Sequence, residues 1–179
     1  MSSAISSKDS ILTAIEKTHA EVTTFFRSLP PESFYRRPFP NAWSYAENLD
    51  HLIRSIKPLT QALRLPKVAL RLLFGSPKNP SRTFEEMKAA YVSRLDAGAV
   101  ASGRYLPVQD QLKDSSSQSA LLEKWNRASS RLVSALNTWG DAELDRHALP
   151  HPILGTITVR EMLFFTIHHA MRHLSPDGD

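Results

Sequence analysis

Apolar residues recur along most of this chain with a helical period and almost nowhere in alternation. In residues 11–29, Ile11, Ile15, Val22, Phe26 and Leu29 fall on one 3.6-residue stripe, which predicts a first helix. Residues 30–43 carry four prolines and read as a loop. A second helix is predicted from Ser44, with Tyr45, Leu49, Leu52, Ile56 and Leu59 on its apolar side. Ser44 and Glu47 form a capping box, in which each side chain satisfies a backbone amide of the first turn. Pro58 removes a backbone donor and is expected to kink or end that helix. Residues 66–75 suit a short helix closed by Gly75, and 76–81 a turn-rich loop. A second capping box, Thr83 with Glu86, opens a helix over 84–95. Residues 98–119 read as a long polar loop. Leu121, Trp125, Leu132 and Leu136 then mark an amphipathic helix over 120–139, and 140–157 a connection. A third box, Thr158 with Glu161, opens the last helix, which Pro176 ends. The pattern predicts a single all-α domain over 1–179. It is a four-helix bundle with a short helical and loop insertion between the second and third long helices.

A chain of 179 residues can bury a real core. The absence of cysteine excludes disulfides, thiolate metal ligands and a cysteine nucleophile, and fits a reducing compartment. The first ten residues lack the basic and apolar regions of a signal peptide, and no apolar run reaches about 18 residues. A cytoplasmic protein without membrane contact is expected. The net charge of +4 is unevenly spread. Between Asp50 and Glu85 there is no acid, while Arg54, Lys57, Arg64, Lys67, Arg71, Lys78 and Arg82 all fall there. A solvated basic face is the plain reading; a field that attracts small anions is the sharper one. Aromatic residues are not interleaved with these cations as a single-strand groove requires, so no nucleic-acid partner is expected.

Three of the seven histidines sit in FTIHHAMRHL, residues 165–174. On a helical wheel His169 and His173 flank the apolar arc formed by Val159, Leu163, Ile167, Ala170 and Leu174. His168 falls beside Glu161 and Arg172, on the side given to solvent. Histidines four apart share one helical face and can grip one metal ion, but two core-edge histidines with ordinary hydrogen bonds fit the same spacing. His51, on the second helix, lies about 125° from its stripe centre, next to Glu47, Asn48 and Ser55. By itself it reads as a surface residue. His19 reads as exposed, and His147 and His151 as loop residues.

NAWSYAENLDHL (residues 41–52) resembles a DinB-superfamily motif, in which a Trp-Ser pair opens the second helix and a ligand histidine follows. HHAMRHL (168–174) resembles the C-terminal H-x-x-R-H stretch of the same family, and the 118-residue spacing from His51 to His169 also suits it. The resemblance implies a four-helix bundle over essentially the whole chain, with 65–118 its most divergent part. It also implies a centre in which His51, His169 and His173 hold a divalent metal, Zn²⁺ or Ni²⁺, with open positions for water or substrate. Glu47 and Asn48 are candidates to support the ligands or touch a substrate. Similar proteins include transferases and isomerases that use a low-molecular-weight thiol, which here would come from a cofactor. A metal-dependent hydrolase and a non-catalytic, stress-associated metal-binding protein are the alternatives. Where the family often continues its last helix, often with Gly-Gln, this sequence turns at SPDGD. A homodimer is therefore expected, with a second copy covering that side of the site.

Overall fold

The computed structural model describes residues 5–40, 42–108 and 113–174, so Pro176 and the SPDGD turn lie outside it. In chain order the elements are α1 (Lys8–Ser28), α2 (Pro31–Tyr35), α3 (Tyr45–Leu63), α4 (Lys67–Phe74), α5 (Phe84–Asp96) and a 3-10 turn, Gly103–Tyr105. They continue with α6 (Ser115–Asn137), α7 (Glu143–Arg146), β1 (Ala148–His151), β2 (Gly155–Thr158) and α8 (Val159–Arg172). No helix is long and apolar enough to cross a membrane among the described residues.

The long helices close a ring: α3 packs on α6, α6 on α1, α1 on α8, and α8 on α3. Each stripe ends up inside. Leu49, Leu52, Ile56, Leu59 and Leu63 of α3 are all buried, and each contributes about 1.5–3 kcal/mol relative to exposure. Ile11, Ile15, Val22 and Phe26 of α1 meet them from across the core, with Trp125, Leu132 and Leu136 of α6. All three capping boxes form, each with both reciprocal hydrogen bonds. Two more caps start helices earlier than the apolar stripes do: Ser7 caps α1, and Asp114 caps α6 by accepting from the Ser117 amide. The loop expected over 98–119 is shorter by that turn.

Three local expectations are corrected. Pro58 does not end α3, for the helix continues to Leu63. The proline-rich stretch 30–43 holds one helical turn, begun by Pro31, whose fixed φ suits a first helical position. The connection 140–157 contains a two-stranded antiparallel hairpin, with Leu149 opposite Ile157 and His151 opposite Gly155. Gly155 sits at φ 74°, a left-handed conformation that the turn requires and that glycine adopts freely.

The insertion positions the site. α5 docks along α8, α4 packs on β1, and the 3-10 turn lies against α3. These pieces cover faces of α3 and α8 that a bare bundle would leave in water.

Candidate metal centre

Of the residues singled out in the sequence, the structure brings together His51 of α3 with His169 and His173 at the end of α8. One ring nitrogen from each lies within 4.8 Å of the other two. The Nε2 atoms of His51 and His169 are 3.0 Å apart, and those of His173 and His169 3.2 Å. A tetrahedral ion with Zn–N bonds of about 2.0–2.1 Å separates its ligand nitrogens by about 3.3 Å, so the cluster is near that size already.

The rings are held from behind. His51 Nδ1 lies 2.6 Å from the backbone oxygen of Tyr105, and His173 Nδ1 lies 2.7 Å from Asn48 Oδ1. The Asn48 amide is itself oriented, its Nδ2 donating to the Ser44 carbonyl at 3.0 Å. A backbone or amide oxygen only accepts, so both Nδ1 atoms carry the proton and both Nε2 atoms present lone pairs. Those two lone pairs face His169 Nε2, which has at most one proton to offer. Hydrogen bonding within the cluster therefore leaves at least one acceptor unmatched, whereas a cation among the three nitrogens satisfies all of them. The donor set fits a divalent metal on that ground.

Electrostatics points the same way. Burial holds His169 well below the ordinary histidine pKa, with the neighbouring histidines adding to the effect. Burial also brings His173 down to about 3, aided by His51 and Arg172. His51 is lowered by burial too, against partial compensation from the Tyr105 carbonyl and Asp50. All three imidazoles are neutral at pH 7, the form that ligates.

His51 is buried although its wheel position faces away from the apolar stripe. The cover comes from the 3-10 turn and α8, which a reading of α3 alone does not include. Trp43 adds to it, with its ring centroid 4.9 Å from that of His51. Glu47 serves a different end: it closes the capping box and is paired with Arg37. His168 takes no part in the cluster. It is half-buried rather than exposed, because α5 brings Tyr91 against its ring.

Two further histidines are buried against expectation. His19 packs its ring edge-on against Trp125 at 4.9 Å. Its position, four after Ile15 and seven before Phe26, was the available signal. His151 ends β1, and its Nδ1 accepts from the amides of Ile153 and Leu154 at 3.2 and 3.0 Å. Burial pushes both His19 and His151 down to about 4. The unfolded chain binds protons at these positions near pH 6.5 and the folded chain only near pH 4, so stability falls as pH drops between those values. For His19 the slope is about 1.4 kcal/mol per pH unit. In urea unfolding between pH 7 and 4.5, His19→Gln is expected to show a shallower loss by that amount. Parallel pH profiles would mean that His19 is not held neutral.

A cavity of about 320 Å³ opens beside the cluster, lined by His51 and His169 together with Leu59, Phe74, Met162 and Phe165. The insertion walls its other side with Tyr91, Val100 and Arg104. None of the seven cations between Asp50 and Glu85 lines it. Arg54 pairs with Asp50, Lys67 with Glu143 and Arg82 with Glu161. Three of the seven are therefore paired, two of them with acids distant in sequence, and Arg104 supplies positive charge at the cavity instead.

The chain is 24% identical over 165 residues to the uncharacterized protein YuaE of Bacillus subtilis (strain 168), covering 92% of this chain and 93% of that one. The family model of the DinB superfamily matches residues 14–175, which includes all three clustered histidines, and the chain belongs to that superfamily.

Proposed function

We propose that His51, His169 and His173 bind a divalent metal, Zn²⁺ or Ni²⁺, and that the site transfers a low-molecular-weight thiol to an apolar electrophile held in the adjoining cavity. The observation that carries the metal assignment is the convergence of three Nε2 atoms, two of them fixed as lone-pair donors. Bound there, the metal supplies a lowered pKa to a thiol, making a nucleophile available at neutral pH. The chain's own residues do the rest. The Tyr105 carbonyl and the Asn48 amide orient two of the imidazoles. Leu59, Phe74, Met162 and Phe165 present an apolar wall that excludes water and holds the body of the electrophile. Arg104 places a guanidinium on the cavity wall, where an anionic group of thiol or substrate can pair with it. With no cysteine in the chain, the thiol enters as a co-substrate.

The test is a panel of low-molecular-weight thiols against an apolar electrophile, run on metal-loaded protein beside an ester and amide panel. Turnover with a thiol supports the transferase. Turnover only of esters or amides replaces it with a hydrolase, and silence in both panels leaves a binding protein. The support given by Asn48 is separable: Asn48→Ala is expected to weaken metal affinity about 10- to 100-fold while leaving the ligands in place. Competition with a chelator measures this, and unchanged affinity would remove Asn48 from the site.

A further inference from the structure

We propose that His151 is a fixed hydrogen-bond donor in the cavity beside the histidine cluster, and that the molecule bound there is apolar with a carbonyl-type oxygen as acceptor. This rests on the reading of that cavity as the substrate site.

The argument begins at the hairpin turn. His151 Nδ1 accepts from two successive backbone amides, Ile153 and Leu154. A nitrogen that accepts carries no proton, so the neutral ring bears its proton on Nε2. Among the described residues Nε2 has no hydrogen-bond partner within the chain. Nor is it sealed off: the buried side-chain atoms without a partner are Ser129 Oγ and His168 Nε2, while His151 lines the cavity. The ring is also rigid, clamped edge-on by Phe165 at 4.2 Å and by Tyr91 at 6.3 Å.

A purely structural role does not need a histidine. Asparagine closes such turns through its side-chain oxygen, with a smaller group to bury. What the imidazole adds is a donor on its far side, at a mostly apolar wall. A donor left unmatched there costs free energy, so an apolar ligand that brings an acceptor is favoured over its hydrocarbon counterpart. Phe165 lies between this donor and the metal centre, stacked on His169 at 4.8 Å. His151 thus binds one end of a ligand whose other end reaches the cluster. It is a positioning group and not a fourth ligand.

The probes are 2-acetylnaphthalene and 2-ethylnaphthalene, which differ in one oxygen, titrated by ligand-observed nuclear magnetic resonance. Wild type is expected to bind the ketone about fivefold to tenfold more tightly. His151→Asn keeps an oxygen for the two turn amides and carries its N–H on a shorter side chain, short of the position that Nε2 occupies, so it is expected to melt like wild type and bind both probes equally. Equal binding of the probes by wild type overturns the proposal, as does an undiminished ketone preference in a folded His151→Asn protein. Should that variant fail to fold, His151→Gln retains an N–H at similar reach and must keep the preference; its loss there overturns the proposal. Metal content of the same samples reads the metal centre separately. Metal-free protein that prefers the ketone still supports the donor while refuting the metal assignment.

Discussion

His169→Ala and His51→Ala are each expected to lose most of their metal on purification, whereas His168→Ala, one residue along the same helix, keeps it. The contrast follows from the geometry. His169 Nε2 lies within 3.2 Å of the Nε2 atoms of both His51 and His173, so its removal deletes the centre of the cluster. His51 is the proposed ligand from α3, and without it only two imidazoles remain, a set that rarely holds Zn²⁺ or Ni²⁺ against buffer. His168 faces α5 and Tyr91 instead. Acid should empty the wild-type site as well, since protons compete for the same nitrogens. Elemental analysis of the wild type and three variants, prepared in parallel, decides the matter. Wild-type protein free of metal after growth with zinc and nickel would sink the assignment. So would a site emptied by His168→Ala and retained by His169→Ala.

The largest expected loss of stability comes from Trp139→Ala, about 3–5 kcal/mol. Trp139 follows α6 and is almost wholly buried, with its Nε1 donating to the Leu63 carbonyl at 2.9 Å. That carbonyl belongs to the last turn of α3, where backbone oxygens have no helical partner. Lys67 lies over the indole at 5.1 Å from its centroid, and His147 meets it edge-on at 5.3 Å. One side chain therefore joins the end of α3, the start of α4 and the end of α7. Its removal leaves a cavity and an orphaned carbonyl together. Trp139→Phe keeps most of the packing but loses the hydrogen bond, so about 1–3 kcal/mol is expected. Against a total stability of roughly 5–15 kcal/mol, the alanine variant should unfold at much lower urea. A change under about 1 kcal/mol would show that the site relaxes around the gap.

The four bundle helices were legible because their stripes and capping boxes are local signals. Leu49 and Leu52 announce a buried face, and Thr158 with Glu161 announces a start. The hairpin was not legible: four-residue strands interrupted by Pro150 are too short to display alternation. The candidate ligands were reached through resemblance, not through periodicity. The wheel assigned His51 to solvent, because what buries it is a turn 54 residues further along the chain. His168 and His151 were missed for the same reason. α5 covers the former, and a hairpin whose existence no stripe signals places the latter. Helical periodicity reports what a helix buries against its bundle neighbours and is blind to what an insertion lays over its outer face.

In the metal site proposed here, the Tyr105 carbonyl behind His51 would tie metal retention to the order of the insertion. Any free energy that ordering this turn contributes to metal binding must be returned in kind: the loaded site holds the turn in place as firmly as the turn holds the site. The same segment supplies part of the cavity wall through Val100 and Arg104. Substitutions in residues 97–108 can thus retune both metal retention and ligand choice while the three histidines stay untouched. A segment that contributes no ligand of its own would then adjust both what the site holds and what the cavity admits.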